Sequence, residues 1–201
     1  MSKHKKVGAF IPQDKWFHEA KKQGYRARSA FKLAEIDHQF NLVKKGMLIL
    51  DVGAAPGSFL QYMSRKLGGT GKLVGVDLKP IDKLPGVTLL VGDVLVQGFL
   101  DQIAAVGIRQ FDLVTSDIAP NTMGIPDVDQ YASIQLNLQI MKAADRFLRR
   151  GGTLLLKVFI GEDVNELLAP LKERYSLVRR IKPEACRDRS VEEYFVCVDR
   201  K

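Results

Sequence analysis

Cysteine is scarce in this chain of 201 residues: only Cys186 and Cys197 occur, with no CxxC pair and no histidine at metal-ligand spacing. That excludes a disulfide scaffold and a structural metal centre, and it leads us to expect free thiols and a cytoplasmic protein. No apolar run approaches the ~20 residues of a membrane-spanning helix, and the first residues lack the apolar core of a secretion signal. Repeats and low-complexity segments are missing as well, so solenoids and fibrous assemblies are set aside. What remains is an ordinary globular composition, with 46% hydrophobic and 27% charged residues, at a length that suits one domain with a sizeable core.

Acid is the minority charge, 23 acidic residues against 31 basic ones, for a net charge of +8. The surplus is concentrated at one end. Residues 1–32 hold Lys3, Lys5, Lys6, Lys15, Lys21, Lys22, Arg26, Arg28 and Lys32 against Asp14 and Glu19, a local surplus of seven. The other residues together carry about +1. A basic arm on a near-neutral domain suits a polyanion, because each phosphate contact releases counterions. Trp16, Phe17, Tyr25 and Phe31 are interleaved with the charges, and a merely solvated tail seldom carries so many aromatics, whereas RNA-binding surfaces use them for stacking. We therefore divide the chain into a basic arm, 1–24, and a domain, 25–201. Within this basic region, Lys21, Lys22, Arg26 and Arg28 are candidate phosphate ligands.

Beyond the arm, short β-branched runs alternate with helical patterns. Residues 47–52, 72–77, 87–91, 111–116 and 153–159 read as buried strands, and their near-continuous hydrophobicity is that of a parallel sheet covered on both faces. Helices are expected at 25–40, 57–68, 97–106, 128–149 and 161–174. The runs 175–182 and 193–198 read as a closing pair of strands, one of them antiparallel. The expected fold is α/β and Rossmann-like: a doubly wound, mostly parallel seven-stranded sheet with helices on both faces.

In such sheets ligands bind beyond the carboxyl ends of the strands. Here the first strand runs into Asp51-Val52-Gly53-Ala54-Ala55-Pro56-Gly57-Ser58-Phe59, the second ends at Asp77, the third leads to Asp93 and the fourth to Asp117. A glycine turn followed about twenty residues later by an acid at the second strand end suits a nucleoside ribose. The spacing is D-x-G-x-x-P-G, not the G-x-G-x-x-G of dinucleotide sites, and Pro56 removes an N–H that a phosphate would use. A nicotinamide oxidoreductase is thereby disfavoured. A nucleoside without phosphates fits better, and S-adenosylmethionine is one: Asp77 for its ribose, Asp93 for the adenine edge, and carboxylates that tolerate a sulfonium.

Lys157 stands in the strand run Leu154-Leu155-Leu156-Lys157-Val158-Phe159, where an unpaired ammonium is costly to bury; the plain alternative is a lysine reaching out to solvent. Lys32 and Glu192, taken alone, read as surface charges. Taken together with YRARSAFKL, DVGAAPG, SDIAPN, KVFIGE and RDRSVEEYFV, in that order over nearly the whole chain, they form a pattern. The sequence resembles the FtsJ/RrmJ family of RNA ribose 2′-O-methyltransferases. The resemblance implies an S-adenosylmethionine-dependent methyltransferase fold with a catalytic tetrad at Lys32, Asp117, Lys157 and Glu192, and cofactor contacts at Gly57, Phe59, Asp77, Asp93 and Asp117. One departure is Ser58-Phe59, where bacterial members usually have Gly-Trp.

In-line methyl transfer to a ribose hydroxyl rests on positioning and on a base within reach of the hydroxyl proton. The resemblance gives Lys157 the role of proton acceptor, with Asp117 orienting it, and has Lys32 and Glu192 position the ribose. A lysine at its reference value of ~10.4 would be no base at neutral pH; desolvation and a neighbouring Lys32 oppose its charge, while Asp117 and Glu192 favour it. The resemblance also implies a uridine ribose of large-subunit ribosomal RNA in the assembled subunit, with a monomeric enzyme and no membrane contact. Relatives that modify transfer RNA or messenger caps are the alternatives. A non-catalytic RNA-binding protein on this fold would predict an eroded tetrad. An amino methyltransferase would need an aromatic platform at position 121, where Asn121 stands.

Overall fold

The computed structural model describes residues 15–186 and 190–201. Lys3, Lys5 and Lys6, placed in the basic arm above, lie outside them. In chain order the elements are α1 (Lys15–Lys22), α2 (Ser29–Phe40), β1 (Leu48–Val52), α3 (Ser58–Leu67), β2 (Lys72–Asp77), β3 (Val87–Val91) and α4 (Gln97–Ala105). They continue with β4 (Phe111–Ser116), α5 (Pro126–Phe147), β5 (Leu148–Phe159), α6 (Val164–Arg174), β6 (Tyr175–Ile181) and β7 (Glu192–Arg200). The strands form one seven-stranded sheet in the order β3-β2-β1-β4-β5-β7-β6. Only β7 runs against its neighbours, pairing antiparallel with β5 and β6, as the closing strand pair predicts. Among the described residues no helix is long and apolar enough to cross a membrane.

The two-residue period of the strands divides the core between the sheet faces. Leu50, Val114, Leu154, Leu156 and Phe195 face α4, α5 and α6, joined by Phe99, Ile103, Ile140, Met141, Leu167 and Leu171. Ile49, Leu113, Leu155 and Val196 face α2 and α3, joined by Leu33, Ile36, Phe59, Leu60 and Met63. On this second face each central column turns polar towards one end: Ile49 gives way to Asp51, Leu113 to Thr115, Leu155 to Lys157 and Val196 to Tyr194. The functional side chains are therefore extensions of core columns.

The two largest boundary differences from the sequence expectation lie at α2 and β5, and α1 is an element the sequence pattern did not mark. The helix expected from residue 25 begins at Ser29, because hydrogen bonds to α3 hold the preceding segment: Arg26 N–H donates to Gln61 Oε1 at 2.7 Å, and Gln61 Nε2 donates to the Gly24 carbonyl at 2.9 Å. Strand β5 begins five residues earlier than its apolar run. Leu148 pairs with Phe111, the register shifts, and pairing resumes at Thr153, so the Arg-Arg-Gly-Gly stretch is an irregularity within the strand and not a loop before it.

The aromatics of the basic segment also require a correction. Trp16 and Tyr25 both pack on Phe31, with ring centroids at 5.2 and 5.7 Å, and the Arg65 guanidinium lies 4.2 Å from the Tyr25 ring centroid. Trp16, Tyr25 and Phe31 thus hold α1 against α2 instead of forming a free stacking platform for bases. Replacing Trp16 by alanine should cost about 1–2 kcal/mol. The loss should appear as faster amide exchange in residues 15–22 with sheet amides unchanged. Unaltered exchange in that helix would show that the ring contact does not hold it.

Candidate active site and cofactor cavity

Four charged side chains meet at the polar end of the α2-facing columns. Lys32 comes from the first turn of α2, Asp117 from the end of β4, Lys157 from β5 and Glu192 from the start of β7. Lys32 Nζ donates to Glu192 Oε1. Lys157 Nζ donates to the Asp117 backbone carbonyl and lies 3.2 Å from Asp117 Oδ1. The four residues proposed from the family resemblance are thus brought together as two linked ion pairs. Lys32 and Lys157 are each less than a tenth exposed, so neither is an ordinary surface lysine.

Two side chains in this cluster were not singled out from the sequence. Tyr194, opposite Lys157 in the β5–β7 register, places its hydroxyl 2.7 Å from Asp117 Oδ1 and 3.3 Å from Glu192 Oε1. Burial, and then the charges of Asp117 and Glu192, push its pKa well up, so it stays a phenol donor between two carboxylates. The i, i+2 spacing of Glu192 and Tyr194 on a strand was the signal that could have revealed it. Cys186 Sγ lies 3.5 Å from Glu192 Oε1, and burial together with that carboxylate pushes the thiol up to about 12. Burial opposes ionisation of Glu192 itself, but Lys32 and, after it, Lys157 outweigh this and hold the carboxyl below its ordinary range. From the other face of the sheet, Asn137 Nδ2 donates to the Lys157 carbonyl at 2.9 Å and Ser133 Oγ accepts from Phe159 N–H at 3.0 Å, fixing the β5 backbone just after the lysine.

Next to the tetrad a cavity of about 410 Å³ opens at the strand ends. Val52, Val76, Leu136 and Ile140 give it an apolar lining, and Asp77, Asp93 and Asp117 supply carboxylates. Asp77 is held in place by Ala55 N–H on Oδ2 at 2.9 Å and Lys79 N–H on Oδ1 at 2.8 Å. Asp93 Oδ1 accepts from Leu95 N–H at 2.9 Å. Gly53 turns the chain at φ +73°, where a Cβ would lie 2.2 Å from Ile118 Cγ1, so only glycine lets the residue after Asp117 close down beside the turn. Gly57 and Phe59, the other two expected cofactor contacts, do not line this cavity. Gly57 precedes α3 and faces Arg26, while Phe59 is buried in the α2–α3 core. Gly53 and Ala55 provide the turn's wall instead.

Of the candidate phosphate ligands, Lys21 and Lys22 are exposed at the end of α1. Arg28 stands immediately before α2. Arg26 is half-buried and lies along the protein's own surface backbone: its guanidinium donates to the Pro56 carbonyl at 2.9 Å and the Lys83 carbonyl at 3.3 Å.

Sheet order, strand-end cavity and charged cluster define a Rossmann-like methyltransferase. The fold is shared with a Plasmodium falciparum structure described as a ribosomal RNA methyltransferase (TM-score 0.80, 29% identity, 88% of this chain and 98% of that one). It is shared too with Aeropyrum pernix fibrillarin in complex with natively bound S-adenosyl-L-methionine (TM-score 0.59, 19% identity, 85% and 76%). The chain belongs to the FtsJ-like methyltransferase family, whose model matches residues 25–200. It is 45% identical over 184 residues to the ribosomal RNA large subunit methyltransferase E of Psychrobacter sp. (strain PRwf-1), covering 91% of this chain and 88% of the relative.

One buried acid adjoins this region and has its own pH signature. Asp51 is fully buried; its Oδ1 accepts from Thr115 Oγ1 at 2.6 Å, and Oδ2 has no partner among the described residues. Burial raises its pKa from 3.8 to about 8; the Thr115 hydrogen bond opposes this, and the charges of Asp117 and Asp77 add to it. Between those values the folded chain keeps a proton that the unfolded chain releases. The stability linked to that proton is therefore present at low pH and is lost as pH rises towards about 8. Asp51→Asn cannot ionise, so its melting temperature should fall less than the native one between about pH 5 and about pH 8. Parallel melting curves across that range would contradict a protonated Asp51.

Proposed function

We propose that this protein transfers a methyl group from S-adenosylmethionine to the 2′-hydroxyl of a ribose in large-subunit ribosomal RNA, a uridine of the assembled subunit, as a cytoplasmic monomer. The observation that carries this reading is the double position of Asp117, which lines the strand-end cavity and also binds Lys157 and Tyr194. Methyl donor and acceptor sites are then adjacent, as an in-line displacement requires. The ribosomal substrate is supported by the name that the curated relatives bear, ribosomal RNA large subunit methyltransferase E.

The cavity's chemistry fits the donor. Asp77 and Asp93 offer acceptors for ribose hydroxyls and an adenine amine, the apolar lining suits a purine face, and the three carboxylates of the lining favour a sulfonium and disfavour a pyrophosphate. S-adenosylmethionine bound there supplies an activated methyl group. Lys157 is the group set to take the proton of the ribose hydroxyl. Asp117 sets the direction of the Lys157 amine through its carbonyl and carboxylate, and Tyr194 fixes that carboxylate in turn. Lys32, aligned by Glu192, offers the ribose oxygen a hydrogen-bond donor.

Lys157→Ala should keep its affinity for S-adenosylmethionine while methyl transfer falls by ~10²–10⁴, the usual cost of losing a general base. Lys157→Arg should fail equally, because a guanidinium stays protonated. Single-turnover transfer to large ribosomal subunits, with the methylated ribose mapped, is the measurement. An active Lys157→Arg enzyme would remove the base role and leave the residue only a steering one.

Lys21, Lys22 and Arg28 approach the start of α2 and are placed to hold phosphates flanking the target ribose. Replacing the two lysines by glutamine should weaken RNA binding and lower its salt slope by ~0.7 per lost phosphate contact on single-stranded RNA. Cofactor affinity should not change. Equal slopes for native and variant proteins would move the RNA contact elsewhere on the surface.

A further inference from the structure

Gly57 completes the turn into α3 at φ +104°, and a Cβ there would lie 2.6 Å from Arg26 Nη1. The positive φ calls for glycine here, and the Arg26 guanidinium occupies the space beside it. That guanidinium bridges two loops. Its Nη1 donates to the Pro56 carbonyl, in the turn whose Gly53 and Ala55 form one wall of the cavity. Its Nη2 donates to the Lys83 carbonyl, in the loop after β2 whose Asp77, Leu78 and Lys79 form another wall. The Arg26 backbone is itself fixed by Gln61 at 2.7 Å, and Arg65 Nη2 donates to the Gln23 carbonyl at 3.1 Å just before it. On the cavity side the same two loops are joined by the Ala55 N–H to Asp77 bond.

We propose that Arg26 is a positioning residue of the cofactor site, a clamp behind the cavity that fixes the spacing of the β1–α3 and β2–β3 loops and so keeps Asp77 where the donor's ribose meets it. The chemistry needs an arginine: two carbonyls from different loops are spanned by one planar fork, and a lysine ammonium on its flexible stem cannot hold both in that geometry. It also explains why a strongly basic segment spends one of its charges on its own backbone. One side chain thereby joins the Pro56 and Lys83 carbonyls, in addition to the Gly53 and Ala54 N–H bonds to the Val76 carbonyl that tie the turn to β2 itself.

The proposal rests on the cavity being the S-adenosylmethionine site, and its test separates the two. S-adenosylmethionine affinity is measured by calorimetry without RNA for the native protein, Arg26→Lys and Arg26→Gln, beside RNA affinity over a salt series and melting temperature. Both variants should bind S-adenosylmethionine about tenfold more weakly, the scale of losing one or two charge-assisted hydrogen bonds, although Arg26→Lys keeps the charge. The KM for S-adenosylmethionine should rise by more than kcat falls, and the RNA salt slope of Arg26→Lys should equal the native one. Should Arg26→Gln fail to fold, Arg26→Lys decides the matter alone, since it keeps stem and charge and loses only the fork. Unchanged S-adenosylmethionine affinity in a folded Arg26→Lys would overturn the clamp. A flattened salt slope in Arg26→Gln, with cofactor affinity intact, would make Arg26 a phosphate ligand instead. Failure of the native protein to bind S-adenosylmethionine would defeat the reading of the cavity itself.

Discussion

Asp117 follows β4, the strand at which the order of the sheet reverses: β1, β2 and β3 lie to one side, β5, β7 and β6 to the other. At such a switch point neighbouring crossovers leave in opposite directions and a crevice opens between them. A carboxylate there must be held by donors, because it is largely removed from water and an unpaired buried charge is expensive. Its backbone carbonyl takes Lys157, and its side chain takes the Tyr194 hydroxyl while facing the same lysine. The remaining surface of Asp117 borders the cavity. Much of the site's arrangement follows from satisfying this group: β5 has to bring a lysine, β7 has to bring a tyrosine opposite it, and the antiparallel direction of β7 then puts Glu192 at the same end of the sheet.

Charge balance decides what else can live nearby. Lys32 and Lys157 face Asp117 and Glu192, two basic side chains against two carboxyls, and Lys32 holds the Glu192 carboxyl low although burial opposes it. A third ionised carboxylate inside the sheet would break that balance. Asp51 lies on the same face as Thr115, where burial above all opposes its ionisation and the charges of Asp117 and Asp77 add to that. A neutral Asp51 keeps its hydrogen bond to Thr115 without adding negative charge beneath the turn, so Asp77, Asp93 and Asp117 are the carboxylates left to meet a cation in the cavity.

The strands were legible because both sheet faces are covered, so each strand is a nearly unbroken apolar run. The tetrad was legible because each member lies within a distinct local motif. Trp16, Tyr25 and Phe31 pack within their own segment, and Arg26 binds backbone far along the chain, neither of which the composition of residues 1–32 reveals. A basic, aromatic segment near a chain end has the composition of an RNA-binding arm, and composition carries no information about partners far away in sequence. Arg26 meets Pro56 and Lys83 only where α3 packs beside α2, whereas Phe31 meets Trp16 and Tyr25 within the segment itself, where the chain turns between α1 and α2. Gly57 illustrates the same limit. The sequence marks it as a position needing glycine, but whether a ligand or a side chain lies against it depends on the fold, and here it is a side chain.

Ser58-Phe59, which stand where bacterial relatives usually carry Gly-Trp, can be understood in the same three-dimensional terms. Phe59 is buried with Leu33 and Ile36, on the face away from the cavity lining, so its change of ring size bears on the packing of α2 against α3. Ser58 adds a hydroxyl at a buried position, and a buried hydroxyl without a partner is costly. Its Oγ lies 2.6 Å from Ser29 Oγ, which joins the first residue of α3 to the first residue of α2. Lys32 is one turn further along α2. Both halves of the departure therefore act on how firmly α2 is seated on α3, and Glu184 N–H, bonded to the Glu35 carboxylate, ties the segment before β7 to the same helix. The Lys32–Glu192 ion pair spans that junction. Since α2 brings the lysine and β7 the glutamate, the geometry of the pair depends on contacts that neither residue makes itself, and the Ser29–Ser58 bond is one of them.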